Sequence, residues 1–341
     1  MTAGCAGDPV VTAVEPSPPA AGQQAAEPAP VVDPAEAEDW WGWNAESIDE
    51  PPLLPDLPWH DNTGVWRAED RELLQRHEGD FRTTSDGQVI DRVDITGKLL
   101  VVHRNVTVKR SWVHGRVVNS TPSAVRIIHC DLGSGEAGDY TGNAVKGLAQ
   151  IYRANIFGVS DGVQTTPSLG AFVLQDSFLH DFRYASDPRT PKGNVHNDGF
   201  KADSKLEHTV LIKHNTFWAW TINNITEQET ATRSSGPNWT DDGGPLESTG
   251  NTARDGRPEN GLQNSGVMVA GEAAVKVYID GNLFRGHAYS YINAQGGYVE
   301  VTNNRFASDE HVRGRKLLGG EVDVWSGNTD FRTGAELTAG P

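Results

Sequence analysis

The stretch Val210-Leu211-Ile212-Lys213-His214-Asn215-Thr216-Phe217 decides the fold. Apolar residues stand at its first, third and eighth places, with an amide at the sixth. Aligned on that register, the arrangement returns along the chain. First places are Val106, Val125, Ala149, Phe172, Val210, Val277, Val299 and Val322. Third places are Val108, Ile127, Ile151, Leu174, Ile212, Ile279, Val301 and Val324. The sixth place is small or an amide, Ser111, Cys130, Ala154, Ser177, Asn215, Asn282, Asn304 and Gly327, and the eighth is apolar except at Thr329. The starts are separated by 19, 24, 23, 38, 67, 22 and 23 residues. A second short strand recurs between them, at Ala144-Val145, Gly162-Val163, Gly199-Phe200, Gly266-Val267 and Tyr291-Ile292.

Period-2 alternation argues for strands, and their return at a nearly fixed interval argues for a solenoid. Three strands per repeat with apolar residues turned inward predict an all-β chain, wound as a right-handed parallel β-helix of about eight to nine coils over residues 89–341. A single coil cannot bury its apolar side. Coils stacked about 4.8 Å apart share one continuous core and pair every backbone group with the coils above and below. Asn215, Asn282 and Asn304 then stack as an amide ladder inside a turn, each satisfying its neighbour.

With His196-Asn197-Asp198-Gly199 on one strand and Trp325-Ser326-Gly327-Asn328 near the end, the chain resembles secreted bacterial β-helix proteins of the pectate-lyase-like superfamily over roughly residues 89–331. The resemblance implies the fold and leaves the activity open among lyases, hydrolases, esterases and binding proteins. It also implies that the amide ladder marks the turn between the second and third strands. The Gly-Phe strand is then the first, and its outward residues line the usual substrate groove. They fall in two files: Gln164, Lys201, Met268, Asn293, and Thr166, Asp203, Ala270, Gln295. One coil alone offers Lys201 and Asp203 together. Polar insertions at residues 133–142, 183–196 and 222–265 precede this strand in different coils and would wall a cleft.

Composition limits the partners. With 29 Lys+Arg against 46 Asp+Glu the net charge is −17, which argues against nucleic acid and anionic membranes. No apolar run approaches the roughly 20 residues of a membrane span. Residues 1–39, rich in Ala, Pro and Glu without periodicity, read as a disordered tether. Its Thr2-Ala3-Gly4-Cys5 looks like a lipoprotein cleavage site, although the apolar segment that should precede it is missing. Either the true start lies upstream or the match is chance; a lipid on Cys5 would be the membrane attachment of a secreted or surface-anchored monomer. Cys130 is expected to face inward, which disfavours a Cys5–Cys130 disulfide. Residues 40–88 form a capping segment, in which Trp40, Trp41, Trp43 and Trp59 are expected to dock on the core, and residues 67–77 to form a short helix closing the solenoid's end.

The chemistry-bearing residues gather around the Gly-Phe strand. Asp161-Gly162 and Asp198-Gly199 hold equivalent places in successive coils, so their carboxylates would lie about 4.8 Å apart, near the ~5 to 5.5 Å of a retaining glycosidase pair. Turn chemistry, with the carboxylate accepting backbone N–H groups, explains the same Asp-Gly pairs. A lyase on a uronate polymer needs a cation beside the carboxylate, a base for the C5 proton and an acid for the leaving oxygen. Lys201 or His196 suits the base, Arg183 or Arg153 the cation, and Tyr152 or His180 the acid. Lys213, Gln164 and Trp239 complete the substrate contacts. His129, Arg153, Asp176 and His214 share one repeat position and are expected to make turn hydrogen bonds. No pattern suggests zinc. No metal or other cofactor is specified, and calcium is the one that Asp187, Asp198, Asp203, Asp241 and Asp242 admit, without any motif spacing. Asn197-Asp198-Gly199 echoes the first polygalacturonase motif, but no Gly-His-Gly or Arg-Ile-Lys follows. The expectation is an extracellular polysaccharide-acting protein, first a lyase cleaving an acidic glycan by β-elimination, with a glycoside hydrolase or a non-catalytic glycan-binding module as alternatives.

Overall fold

The computed structural model describes residues 57–59, 62–65, 68–133, 142–166, 170–180, 182–183, 198–202, 209–218, 221–222, 265–269, 276–285, 290–294, 297–307, 318 and 321–339. The tether, Trp40, Trp41 and Trp43 lie outside them, as do His196, Asp203, Trp239 and most of the three insertions. The described chain is a parallel β-helix. Its strands fall into three parallel sheets of eight, nine and ten, together with one short pair, Phe182–Arg183 with Thr221–Ile222.

Each coil contributes a strand to the eight-stranded, then the nine-stranded, then the ten-stranded sheet, as Val117–Asn119, Val125–Ile128 and Asp131–Leu132 do. The winding is already under way at Gln75–His77, which pairs with Val93–Ile95, ahead of the alternation that begins near residue 89. The repeat places stack as files: Phe172, Val210, Val277 and Val299 are in register through the nine-stranded sheet, and all are essentially inaccessible to solvent.

The corner between the second and third strands is a single residue in the left-handed region. Arg110, His129, Arg153, Asp176, His214 and Asn303 all have φ between 46° and 56°, with Gly281 and Gly327 at the same place in later coils. One such residue turns the chain without a loop, and its amide still bonds the next coil, as in His129 N to Tyr152 O at 3.0 Å and His214 N to Asp280 O at 2.9 Å. The shared position of His129, Arg153, Asp176 and His214 is therefore this corner, where His214 Nδ1 meets Asp176 Oδ1 at 2.6 Å.

Just inside the corner runs the ladder. Asn215 N and Nδ2 both donate to Asn282 Oδ1, Asn282 does the same to Asn304, and Asn304 to Asn328, all between 2.8 and 3.0 Å. In earlier coils hydroxyls substitute: Asn215 Oδ1 accepts from Ser177 N, and Ser177 Oγ accepts from Ala154 N. The last rung corrects the sequence alignment by one residue. Val301 pairs with Trp325 and Thr302 with Ser326, so Asn328, not Gly327, holds the amide place, and Trp325, not Val324, packs against Phe306. The Phe217, Phe284 and Phe306 rings form a parallel stack beneath, with centroids 4.8 and 5.2 Å apart. Cys130 is buried and free, and burial pushes its thiol up to about 12.

Among the described residues of the N-terminal segment, the part from Trp59 to Glu72 lies beside the ten-stranded sheet. The helix α1 spans only Ala68–Glu72. From Trp59 onward the chain runs lengthwise down the outside of the ten-stranded sheet, against the direction of winding. Trp59 packs on Phe178 and Trp218, Gly64 donates to the carbonyl of Arg153, Arg71 reaches Asp131, and Arg92 bonds Asp70. Docking of Trp59 is thus observed. The strap explains why outward-facing residues of this sheet, Phe178, His180 and Trp218, are buried.

Under the strap, Asp131 is 1% exposed and accepts from Arg71 Nη2 (2.9 Å) and Asn155 Nδ2 (3.1 Å). Burial pushes its carboxyl above the usual range, and the Arg71 charge, then the Asn155 bond, pull it back. Arg71→Ala is expected to cost about 1–3 kcal/mol at neutral pH by leaving a buried carboxylate short of a partner. A carboxyl raised in the folded state binds its proton more tightly there than in the unfolded chain. The penalty therefore shrinks as pH falls through that raised value, because the protonated group needs no cation. Denaturant titrations of both proteins across acid pH check this.

Candidate functional site

Three faces of the solenoid differ in what they leave open. The ten-stranded face is buried at Asp131, Phe178, His180, Trp218 and Arg285. The nine-stranded face has mixed character: Val173, Leu211 and Tyr278 lie in register among polar side chains. The eight-stranded face carries the file anticipated for a groove, since register places Gln164, Lys201, Met268 and Asn293 one above another, all half-buried.

Within this face Asp161, Asp198 and Lys201 come together. Asp161–Thr165 and Asp198–Ala202 are neighbouring strands. Asp161 Oδ1 accepts from the Asp198 amide at 3.0 Å. Asp198 is fully buried, and Lys201 Nζ lies 3.8 Å from its Oδ2. The glycines after both aspartates have a packing cause. A Cβ on Gly199 would sit 2.6 Å from the Phe217 ring and from the Gly266 carbonyl oxygen, and one on Gly162 would sit 2.4 Å from the Gly199 carbonyl oxygen. Glycine lets the core rings and the adjacent coil reach this corner. Asp161 thus performs the turn-type bond that its Asp-Gly context suggested, and it does so across coils.

The remaining residues named from the sequence are spread over other faces. Tyr152 and Lys213 stand in one file of the nine-stranded sheet with Gln175 between them. Tyr152 is 3% exposed, unsuited to meeting a polymer. Arg153 is at the corner, with Nε 4.0 Å from Asp176, and its backbone holds the strap. His180 belongs to the ten-stranded sheet, stacks on Phe178 at 4.1 Å and bonds Asn155 through Nε2 at 2.8 Å. Arg183 falls on the short strand pair. Grouping Tyr152, Arg153, His180 and Lys213 with Lys201 in one groove therefore does not follow from the geometry: Tyr152 and Lys213 stand on the nine-stranded sheet, Arg153 at its corner and His180 on the ten-stranded sheet, whereas Lys201 stands on the eight-stranded one.

The sequence reading passed over Lys146 and Asn143. Lys146 pairs in register with Gln164, one coil before Lys201, and Asn143 Nδ2 donates to Gln164 Oε1 at 3.0 Å. Extending the Gln164–Lys201 file one coil back would have found both. Among the described residues no three His, Cys, Asp or Glu side chains cluster as metal ligands, and of the five acids weighed for calcium only Asp198 is described. No family model, curated protein or solved structure matches this chain.

Proposed function

We propose that this is an extracellular protein of pectate-lyase-like character that binds an acidic, uronate-containing polysaccharide over the eight-stranded sheet and cleaves it by β-elimination. The observation that carries the reading is the Lys201 ammonium held above buried Asp198 on the open face of the solenoid. In this role Lys201 neutralises the substrate carboxylate and stabilises the charge that develops when C5 loses its proton. Because Lys201 is paired with Asp198 and serves the substrate carboxylate, the base falls to His196, two residues ahead of Asp198 in the chain. His196 takes the C5 proton, the C4=C5 double bond forms as the C4–O bond breaks, and the leaving oxygen is protonated by the imidazolium so formed.

A second reading rests on Asp161 and Asp198. Neighbouring coils separate them by about 4.8 Å, close to the ~5 to 5.5 Å spacing of a retaining glycosidase. Against it, one Asp161 oxygen is engaged by the Asp198 amide, and Asp198 is paired with Lys201.

Incubating the chain with uronate polymers and following ultraviolet absorbance of unsaturated ends separates the readings. The lyase gives absorbance and new reducing ends in step, and Lys201→Ala lowers the rate about 100-fold or more. Reducing ends without absorbance would replace the lyase with the hydrolase. Binding without either product would leave a glycan-binding module.

A further inference from the structure

Resting on that reading, we infer that the groove selects a glycan charged on every second sugar, an acidic residue alternating with a neutral one, and that Gln164 enforces the alternation. The outward file over the eight-stranded sheet runs Leu100, Val118, Lys146, Gln164, Lys201, Met268. A polar window of three coils is thus framed by apolar side chains, and its two cations flank one neutral amide. Lys146 has no ion pair among the described residues, and Lys201 is held in place by Asp198. Asn143 fixes the Gln164 amide from the side.

The solenoid makes this file a ruler. Successive coils advance by about 4.8 Å, so Lys146 and Lys201 recur at about 9.6 Å along the axis. An extended 1,4-linked pyranose chain lying along the axis advances by a similar amount per sugar. Its consecutive residues therefore face consecutive coils. A carboxylate or sulfate on alternate sugars meets Lys146 and Lys201, and the neutral sugar between them meets Gln164 through its hydroxyl or acetamido group. A uniformly charged polymer would press a third anion onto Gln164, a neutral amide that cannot balance it. Leu100, Val118 and Met268 offer apolar surface to the faces of the flanking rings.

The test is calorimetric titration of the full chain with three oligosaccharides of equal length: alternating uronate and N-acetylhexosamine, uniform uronate, and neutral hexose. Wild-type protein should bind the alternating oligomer about tenfold tighter than the uniform one and the neutral one weakest. Gln164→Lys should narrow or reverse the first ratio, and Lys146→Gln should weaken the alternating oligomer about tenfold. Equal or tighter binding of uniform uronate by the wild type, or a ratio indifferent to Gln164→Lys, overturns this inference and leaves the acidic-glycan reading standing. No preference for either acidic oligomer over the neutral one overturns both.

Discussion

Asn282→Ala is expected to cost about 3–6 kcal/mol of folding stability, because it removes the shared acceptor of two buried donors at once. Asn215 N and Asn215 Nδ2 both end on Asn282 Oδ1, at 2.8 and 2.9 Å, and alanine supplies no replacement. Asn282 Nδ2 also serves the Ile212 carbonyl of the preceding coil, so its loss leaves that acceptor short as well. Asn282→Ser should cost less, since Ser177 already performs the acceptor's task two rungs earlier, for Ala154 N at 3.1 Å. Denaturant unfolding of the two variants checks the order. Equal losses would mean that the amide contributes by filling space and not by bonding.

Gly199→Ala should be nearly as damaging, at about 3 kcal/mol or more, by overpacking. The added carbon would meet the Gly266 carbonyl oxygen and the Phe217 ring, both at 2.6 Å, and neither is the far end of a flexible side chain. Because Asp198 and Lys201 flank this glycine, any activity or glycan binding should fall together with stability. Gly281→Ala is the comparison: nothing lies within 4 Å of its added carbon, and residues such as His214 hold the same left-handed corner. It should cost about 1 kcal/mol, from backbone conformation alone. Thermal melts of both proteins, with circular dichroism, measure the difference.

How much of this was legible in the sequence depends on what each residue faces. Files such as Phe172, Val210, Val277 and Val299 could be read because each is buried between two coils, and burial on both sides enforces an apolar residue at every turn. The same rule fails at the coil of Val324, which on one side meets residues 335–337 in place of a further coil. There Val324 is half-exposed while Trp325 packs inward, so an alignment on valines slips by one residue and misses Asn328 in the ladder. The strap from Trp59 to α1 has no period, because it crosses coils instead of joining them. Its trace in the sequence was indirect: outward places on the third strand hold Phe178, His180 and Trp218, where an open face would carry charge. For the candidate site, the Gln164–Lys201 file was readable from register. The placing of Tyr152, Arg153 and His180 in the same groove was not, since repeat position says which sheet a residue joins and nothing of what lies over it.

The proposed acidic glycan would lie along the open face of the eight-stranded sheet. Amide hydrogen exchange of the full chain, with and without an acidic oligosaccharide, tests this placement most directly. Slowed exchange is predicted in peptides covering 142–146, 161–166 and 198–202, with little change across the strands of the ten-stranded sheet at 112–113, 155–157 and 178–180. Protection confined to the nine-stranded or ten-stranded sheets, or no protection anywhere at saturating oligosaccharide, would contradict it.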